Sequence, residues 1–393
     1  MRSFSITLLT LLSLGPIPIP GAESPLPRKL LLMSVDGTRP DALQAANAPN
    51  LDSLFVGSAY SYRAQSAVPV EEYSVSGACY SSMFTGVWCT KHKVCDNEFA
   101  PARYDLYPIA FCRLKAVYPQ MIIESIVRWA PVSTSMIECA DVDLAPSSDQ
   151  AATDEAVRLL TETNPDLLYY HIEDVDTAGH ASGFSPTAAG YLTAIEKADA
   201  MVGRVLQALY SRPTYDQEDW MVIALTDHGG KGTSHHYSDE PESQTIFMTF
   251  QGAHVAAGEI DPPPVLVDIA VTMLGYFGIE IDPAWNLDGR MVALQADEDP
   301  GHLQLPADCD QDGELEISDA VCLLGVLLVN DPVPCGDGTF SGDNLTLLDA
   351  NGDASGDISD AVYVILHLFG GGSPPVLGTA CIPLDTCGDI CVE

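Results

Sequence analysis

The sequence predicts an α/β domain, a mostly parallel sheet sandwiched by helices, followed by a small all-α module of two paired loop–helix units. Three observations predict it. First, the runs 29–35 (KLLLMSV), 166–172 (DLLYYHI) and 221–226 (MVIALT) are short, β-rich and nearly continuous in apolar residues. Strands buried on both faces of a parallel sheet read this way. Second, strand-like and helix-like segments alternate from 25 to about 295, the α/β pattern. Third, the chain repeats itself near its end. ISDAV occurs at 317–321 and again at 358–362, 41 residues later, each time behind an acidic loop.

The apolar runs also deliver chemistry. The first runs into Asp36, the second into Asp174, Asp176 and His180, the third into Asp227 and His228, with His235 close behind. In open α/β sheets, ligands bind beyond the carboxyl ends of the strands. Three strand ends that bring Asp or His to one edge describe a metal site. One helix is explicit: Ser185 and Pro186 give an N-cap and a first-turn proline. Tyr191, Ile195, Val202, Leu206 and Leu209 then share a face, and Pro213 closes the segment. A second helix is expected over 265–276, behind Pro262, Pro263 and Pro264.

With 393 residues there is room for one large domain and one smaller one. Domain boundaries are expected at 25–295 for the catalytic domain, 296–307 for a polar linker without period, and 308–393 for the module. Residues 1–22 read as a signal peptide. Arg2 opens it, 6–14 is a short apolar core, and small residues follow at Gly21 and Ala22. That core is too short to span a bilayer. A secreted or periplasmic location follows as an expectation, and the eleven cysteines fit an oxidising compartment. Cys89 lies near Cys95, Cys112 and Cys139 could staple the next segment, and Cys381, Cys387 and Cys391 crowd the C-terminus. The odd count leaves one thiol over, and Cys79 is the candidate. A net charge of −38 argues against a nucleic-acid scaffold and an anionic membrane surface.

In the first acidic loop Asp308, Asp310, Asp312, Glu314 and Asp319 stand at positions 1, 3, 5, 7 and 12, with Gly313 at position 6. This is EF-hand-type calcium spacing; position 7 contributes its backbone carbonyl. In the second, Asp349, Asn351, Asp353 and Asp360 keep positions 1, 3, 5 and 12, but position 6 is Ala354. Glycine is wanted there, so a different turn using Gly356 is expected. With Asp at position 12 and two such units, the region resembles a dockerin type I domain. The resemblance implies calcium-dependent folding and, in some relatives, a cohesin partner. A stabilising appendage is the other reading.

VDGTRPDAL at 35–43, SGACYSSMFTGVWCTKH at 76–92, DVDTAGH at 174–180 and TDHGGKGTSH at 226–235 resemble the alkaline phosphatase superfamily, in its type I phosphodiesterase/nucleotide pyrophosphatase branch. VDIAVTMLGYFGI at 267–279 and LDGR at 287–290 resemble its closing helix and turn. The resemblance implies two catalytic zinc ions. Asp36, Asp227, His228 and the nucleophile oxygen would hold one; Asp176, His180 and His235 would hold the other, with His236 the alternative to His235. Imidazole nitrogen and carboxylate oxygen suit zinc, and a paired site suits in-line displacement at phosphorus. Asp174 would orient His180 or a water.

The family places its nucleophile at a helix start nine residues before a Thr-Gly pair. Counting back from Thr85 and Gly86 gives Ser76, with Ser74 the competitor and Ser81 and Ser82 behind. Asn97 matches the residue that binds a nonbridging phosphate oxygen in phosphodiesterase relatives. Glu71 and Glu72 depart from the family run and could repel an anionic substrate. The implied activity is hydrolysis of a small-molecule phosphoester through a phosphoserine intermediate. A sulfatase on the same scaffold is the alternative, although 76–80 lacks the proline and arginine of the sulfatase C/S-x-P-x-R motif. A catalytically degenerate, calcium-stabilised binding protein is a third reading.

Overall fold

The computed structural model describes residues 26–67, 74–236, 240–295, 302–329, 331–335, 339–384, 387 and 390–391. The expected signal peptide and the Glu71–Glu72 pair lie outside the described residues. So does half of the expected linker, 296–301. The chain divides into two compact units, 1–293 and 294–393.

The first unit holds an eight-stranded sheet. Its strands are β1 (Arg28–Val35), β2 (Ala59–Gln65), β3 (Ile123–Val127), β4 (Val142–Leu144), β5 (Leu167–Ile172), β6 (Asp219–Leu225), β7 (Thr245–Gln251) and β8 (Gly258–Glu259). The order across the sheet is β4-β3-β5-β1-β6-β7-β2-β8. All pairings are parallel except the two made by β7. The three apolar runs become β1, β5 and β6, three adjacent central strands, and every residue of β5 and β6 is buried. Central parallel strands are covered on both faces by helices, which is why their sequences do not alternate.

On one face, Leu31, Met33 and Val35 of β1 and Leu168 and Tyr170 of β5 pack with helices Asp149–Glu162 and Ala189–Tyr210. Truncating Leu31 to alanine in this core would cost about 2–5 kcal/mol. On the other face, Phe84 of helix Ser76–Thr85 packs edge-on against Tyr169 of β5 and against Phe111. The long helix begins at Ala189, later than the Ser185-Pro186 signal. Ser185 instead accepts from the Thr187 N–H in the preceding turn. The helix expected from 265 begins at Asp268, whose carboxylate accepts from the Val265 N–H. No helix among the described residues is long and apolar enough to cross a membrane.

In the second unit, helices Ile317–Val329 and Ile358–Gly370 carry the two ISDAV segments. The unit is not all-α. Strands β9 (His302–Gln304) and β10 (Ile382–Leu384) pair antiparallel, so part of the stretch read as linker is built into this unit. Disulfides Cys309–Cys322, Cys335–Cys387 and Cys381–Cys391 cross-link it. The first unit carries Cys89–Cys95 and Cys112–Cys139, while Cys79 is buried and forms no disulfide.

Candidate active site

Asp36 leaves β1, Asp227 and His228 leave β6, and Asp176 and His180 lie on helix Asp174–Ser182 directly behind β5. The strand order β5-β1-β6 therefore brings all of them to one edge. Asp176 and His180 are four residues apart, one helical turn, so both side chains meet the site. Their ring and carboxylate approach to 3.3 Å. Gly37 has φ +65°, and a Cβ there would stand 2.6 Å from Asp176 Oδ1. Glycine is what lets the β1 turn and the Asp176 helix close on each other.

Two donor groups form, with ligand atoms within 4.8 Å of one another: Asp36, Asp227 and His228, and Asp176, His228 and His235. His228 Nε2 lies 3.5 Å from Asp36 Oδ1 and 3.4 Å from Asp227 Oδ2. His235 Nε2 lies 3.8 Å from Asp176 Oδ1. His180, an expected ligand, is exposed and belongs to neither group, although its Nε2 lies 3.3 Å from Asp176 Oδ2. His236 belongs to neither group among the described residues.

The tautomers follow from the hydrogen bonds. His228 Nδ1 faces the Gly229 carbonyl at 2.9 Å, His235 Nδ1 the Ser74 carbonyl at 2.6 Å, and His180 Nδ1 the Thr233 carbonyl at 2.9 Å. A carbonyl only accepts, so each Nδ1 carries the proton and each Nε2 presents a lone pair. These lone pairs point at carboxylates, which repels unless a cation stands between. Burial depresses the His228 pKa to about 3, and burial and the adjacent His228 push His235 lower still. The carboxylates go the other way. Burial, then the neighbouring carboxylates, raise Asp36 and Asp176, and burial raises Asp227. Asp36 Oδ1, Asp176 Oδ1 and Asp227 Oδ2 are buried with no hydrogen-bond partner. Orphaned carboxylate oxygens facing bare imidazole nitrogens fit one or two divalent cations.

Ser76 opens its helix with Val75 at the N-cap, and its Oγ lies 3.1 Å from His228 Nε2. Since that nitrogen accepts, the serine hydroxyl donates. Ser74 is placed otherwise: its hydroxyl faces Ser66 and its carbonyl holds His235. Ser81 bonds to the Gly77 carbonyl and Tyr104, and Ser82 bonds to His92. Asn97 Oδ1 accepts from the Gly77 N–H at 2.8 Å, so the Asn97 loop sits over the start of the Ser76 helix. Gly77 permits this, because a Cβ there would meet the Asp96 carbonyl at 2.4 Å.

Asp174 is not what meets His180 Nδ1. Its backbone N–H, with that of Glu173, donates to the buried Asp149, while Thr233 orients His180. Sequence reasoning also missed His171 and Tyr80, which both donate to Asp36 Oδ2. No local motif marks either residue.

In the second unit, Asp308, Asp310 and Asp319 converge within 4.8 Å. Asp319 accepts from the N–H groups of Cys309 and Glu316, and Asp308 from those of Gln311 and Gly313. Asp312 accepts from the Glu314 N–H. The second loop does not turn differently. Gln311 and Gly352 at position 4, and Gly313 and Ala354 at position 6, all have positive φ. Asp349 accepts from the Gly352 and Ala354 N–H groups, as Asp308 does from Gln311 and Gly313. Asp353 accepts from Ser355, and Asp360 from Asn351 and Asp357. Backbone hydrogen bonding to the first aspartate holds Ala354 in a conformation that alanine disfavours.

Residues 30–113 match the type I phosphodiesterase / nucleotide pyrophosphatase family, and residues 127–280 match the metalloenzyme superfamily. Over 144 residues the chain is 29% identical to the 2,3-bisphosphoglycerate-independent phosphoglycerate mutase of Haloquadratum walsbyi, covering 35% of this chain and 27% of that enzyme. The match thus spans about a quarter of the mutase's length. In fold, the chain is similar to a putative sulfatase from Bacteroides thetaiotaomicron, with TM-score 0.55 and 12% identity over 70% of this chain and 77% of that one. It is also similar to murine ectonucleotide pyrophosphatase/phosphodiesterase 5, with TM-score 0.52 and 11% identity over 65% of this chain and 96% of that one. The two successive family matches, on this fold and this donor set, identify the chain as a member of the alkaline phosphatase superfamily.

Proposed function

We propose that the protein is a secreted or periplasmic zinc-dependent phosphoester hydrolase of the phosphodiesterase/nucleotide pyrophosphatase type, with Ser76 as nucleophile. One observation carries the reading: Ser76 Oγ, at a helix start, donates to a His228 nitrogen that also faces Asp36 and Asp227. Two zinc ions, held by Asp36, Asp227 and His228 and by Asp176, His180 and His235, would supply Lewis acidity at the phosphoryl oxygens and lower the hydroxyl pKa.

Ser76 Oγ bonds to phosphorus in line as the bond to the leaving oxygen breaks, and the proton that serine gives up to solvent is matched by the one that the leaving oxygen takes to become an alcohol. Water then cleaves the phosphoserine and restores the hydroxyl. A phosphoryl group at the start of the Ser76 helix would meet the positive end of the helix dipole, which favours its charge. Asn97, held by the Gly77 N–H through Oδ1, would offer its amide NH2 to a nonbridging oxygen. The Asp149 cap and the Thr233 carbonyl fix Asp176 and His180.

A sulfatase-like hydrolase is the second reading, and likeness in fold to the Bacteroides protein favours it. The phosphodiesterase family match and the absence of proline and arginine from 76–80 favour phosphorus. Rates on an aryl phosphate monoester, diester and sulfate, with metal content measured, decide. Sulfate as the fastest substrate would reverse the choice.

The five disulfides support export. For the second unit the reading is calcium in both acidic loops, a dockerin-like module and a cohesin-like partner. Carboxylate convergence in the first loop and the shared turn of the second support the calcium part.

A further inference from the structure

His171 is fully buried at the end of β5 and takes no part in the chemistry above. The Arg128 backbone N–H donates to its Nδ1 at 3.1 Å. A backbone N–H can only donate, so Nδ1 bears the lone pair and the ring proton sits on Nε2. That is the opposite tautomer to His180, His228 and His235. His171 Nε2 lies 3.2 Å from Asp36 Oδ2 and donates to it. Tyr80 OH donates to the same oxygen at 3.1 Å, and its ring stands edge-on to His171 at 5.2 Å. The other oxygen, Oδ1, has no hydrogen-bond partner and faces His228.

We infer that His171, with Tyr80, is a positioning residue that commits one oxygen of Asp36 to the protein and leaves the other alone to meet a cation. The inference rests on the metal reading of the site and adds a division of labour within one carboxylate. A carboxylate with both oxygens free can rotate or grip a cation with both. Two donors on Oδ2 stop the rotation and confine Asp36 to single-oxygen ligation, which keeps a four-coordinate site compact.

The arrangement crosses three neighbouring strands. Arg128 follows β3, His171 ends β5, and Asp36 follows β1, with Val127 opposite His171 and His171 opposite Ser34 in the register. Tyr80 lies one turn beyond Ser76 on the same helix. The hydroxyl that fixes Asp36 and the hydroxyl that attacks are therefore carried by one rigid element.

The test measures zinc binding to the full chain by competition with a graded chelator, for wild type, His171→Phe, His171→Gln and Tyr80→Phe. Far-ultraviolet circular dichroism and thermal unfolding check that each variant folds. Expected is a weakening of one of two zinc equivalents, on the order of 10–100-fold, in His171→Phe. The other equivalent stays unchanged, and glutamine, whose amide can still donate, recovers part of the loss. Tyr80→Phe removes only a hydroxyl; it weakens the same equivalent and carries the test if His171→Phe does not fold. Wild type binding two zinc ions, with folded variants binding both as tightly, overturns this inference alone. Wild type binding no zinc overturns the metal reading and this inference with it.

Discussion

The imidazole rings of His228 and His235 stack 3.7 Å apart and 12° from parallel, and His228 belongs to both donor groups while His235 belongs to one. His228 turns its Nε2 to Asp36 and Asp227, and His235 turns its own to Asp176. The shared ring places the two groups side by side.

Removing metal should destabilise the protein more at pH 8 than at pH 5. The folded pKa values of Asp227 and Asp176 are raised to about 7 and about 8, above the unfolded carboxylate value. Without a cation, their contribution to stability is therefore full below about pH 4 and is lost as pH rises through those folded values. A bound divalent cation would compensate the charge, so the gain in Tm on adding zinc should grow from pH 5 to pH 8. A gain independent of pH would refute this.

Ser76→Ala should reduce turnover on the order of 1000-fold or more while zinc content and Tm stay close to wild type. Ser74→Ala should be mild, because its backbone carbonyl, which holds His235, survives the substitution. Steady-state rates of both variants check this, and the reverse order would move the nucleophile by two residues.

Asp149 caps the helix that carries Asp176 and His180, accepting from Glu173 and Asp174 at 3.0 and 2.8 Å. Burial raises its pKa to about 6, against the opposing pull of those two N–H groups. A raised carboxyl pKa means stability falls as pH climbs from about 4 to about 6. Asp149→Asn should lose one acceptor, costing about 1 kcal/mol, and should flatten the pH dependence in that window. Urea unfolding between pH 4 and 7 reads both effects.

Calcium should raise the unfolding temperature of the second unit, and Asp312→Ala should blunt the gain. Ala354→Gly should do the opposite. Ala354 has φ +62°, a conformation costing a non-glycine residue roughly 1–2 kcal/mol. Relieving that strain should tighten calcium at the second loop, as calorimetric titration would show. Equal calcium affinity in Ala354→Gly and wild type would count against the loop's role.

Legibility in the sequence followed the physics of each element. β1, β5 and β6 were readable because strands covered on both faces are nearly continuous in apolar residues, and Asp36, Asp176 and Asp227 follow within a few residues of their ends. The pair β9 and β10 was not readable, since each is three residues long and its partner lies far along the chain. His171 and Tyr80 were missed for a related reason. Their partner is Asp36 only because β5 lies beside β1, and strand order is not written in any local run. The Thr233 carbonyl that meets His180 was not readable, since it lies 53 residues further along the chain, and the backbone hold of Asp149 on Asp174 leaves no trace in a local run. The turn at Ala354 was misjudged by weighing the residue at position 6 alone; Asp349 overrides its preference.

β1 and β6 are neighbours in the sheet, with Met33 opposite Ala224, although most of the first unit lies between them in sequence. Asp36 is therefore made early in synthesis, and its cluster partners Asp227 and His228 come near the end of the unit. No nascent or half-folded chain can assemble that cluster, because the long loop must close before β6 docks. A cation held there would thus be captured late in maturation, once the central strands have found their order, and a chain that misorders them would have no place to hold it.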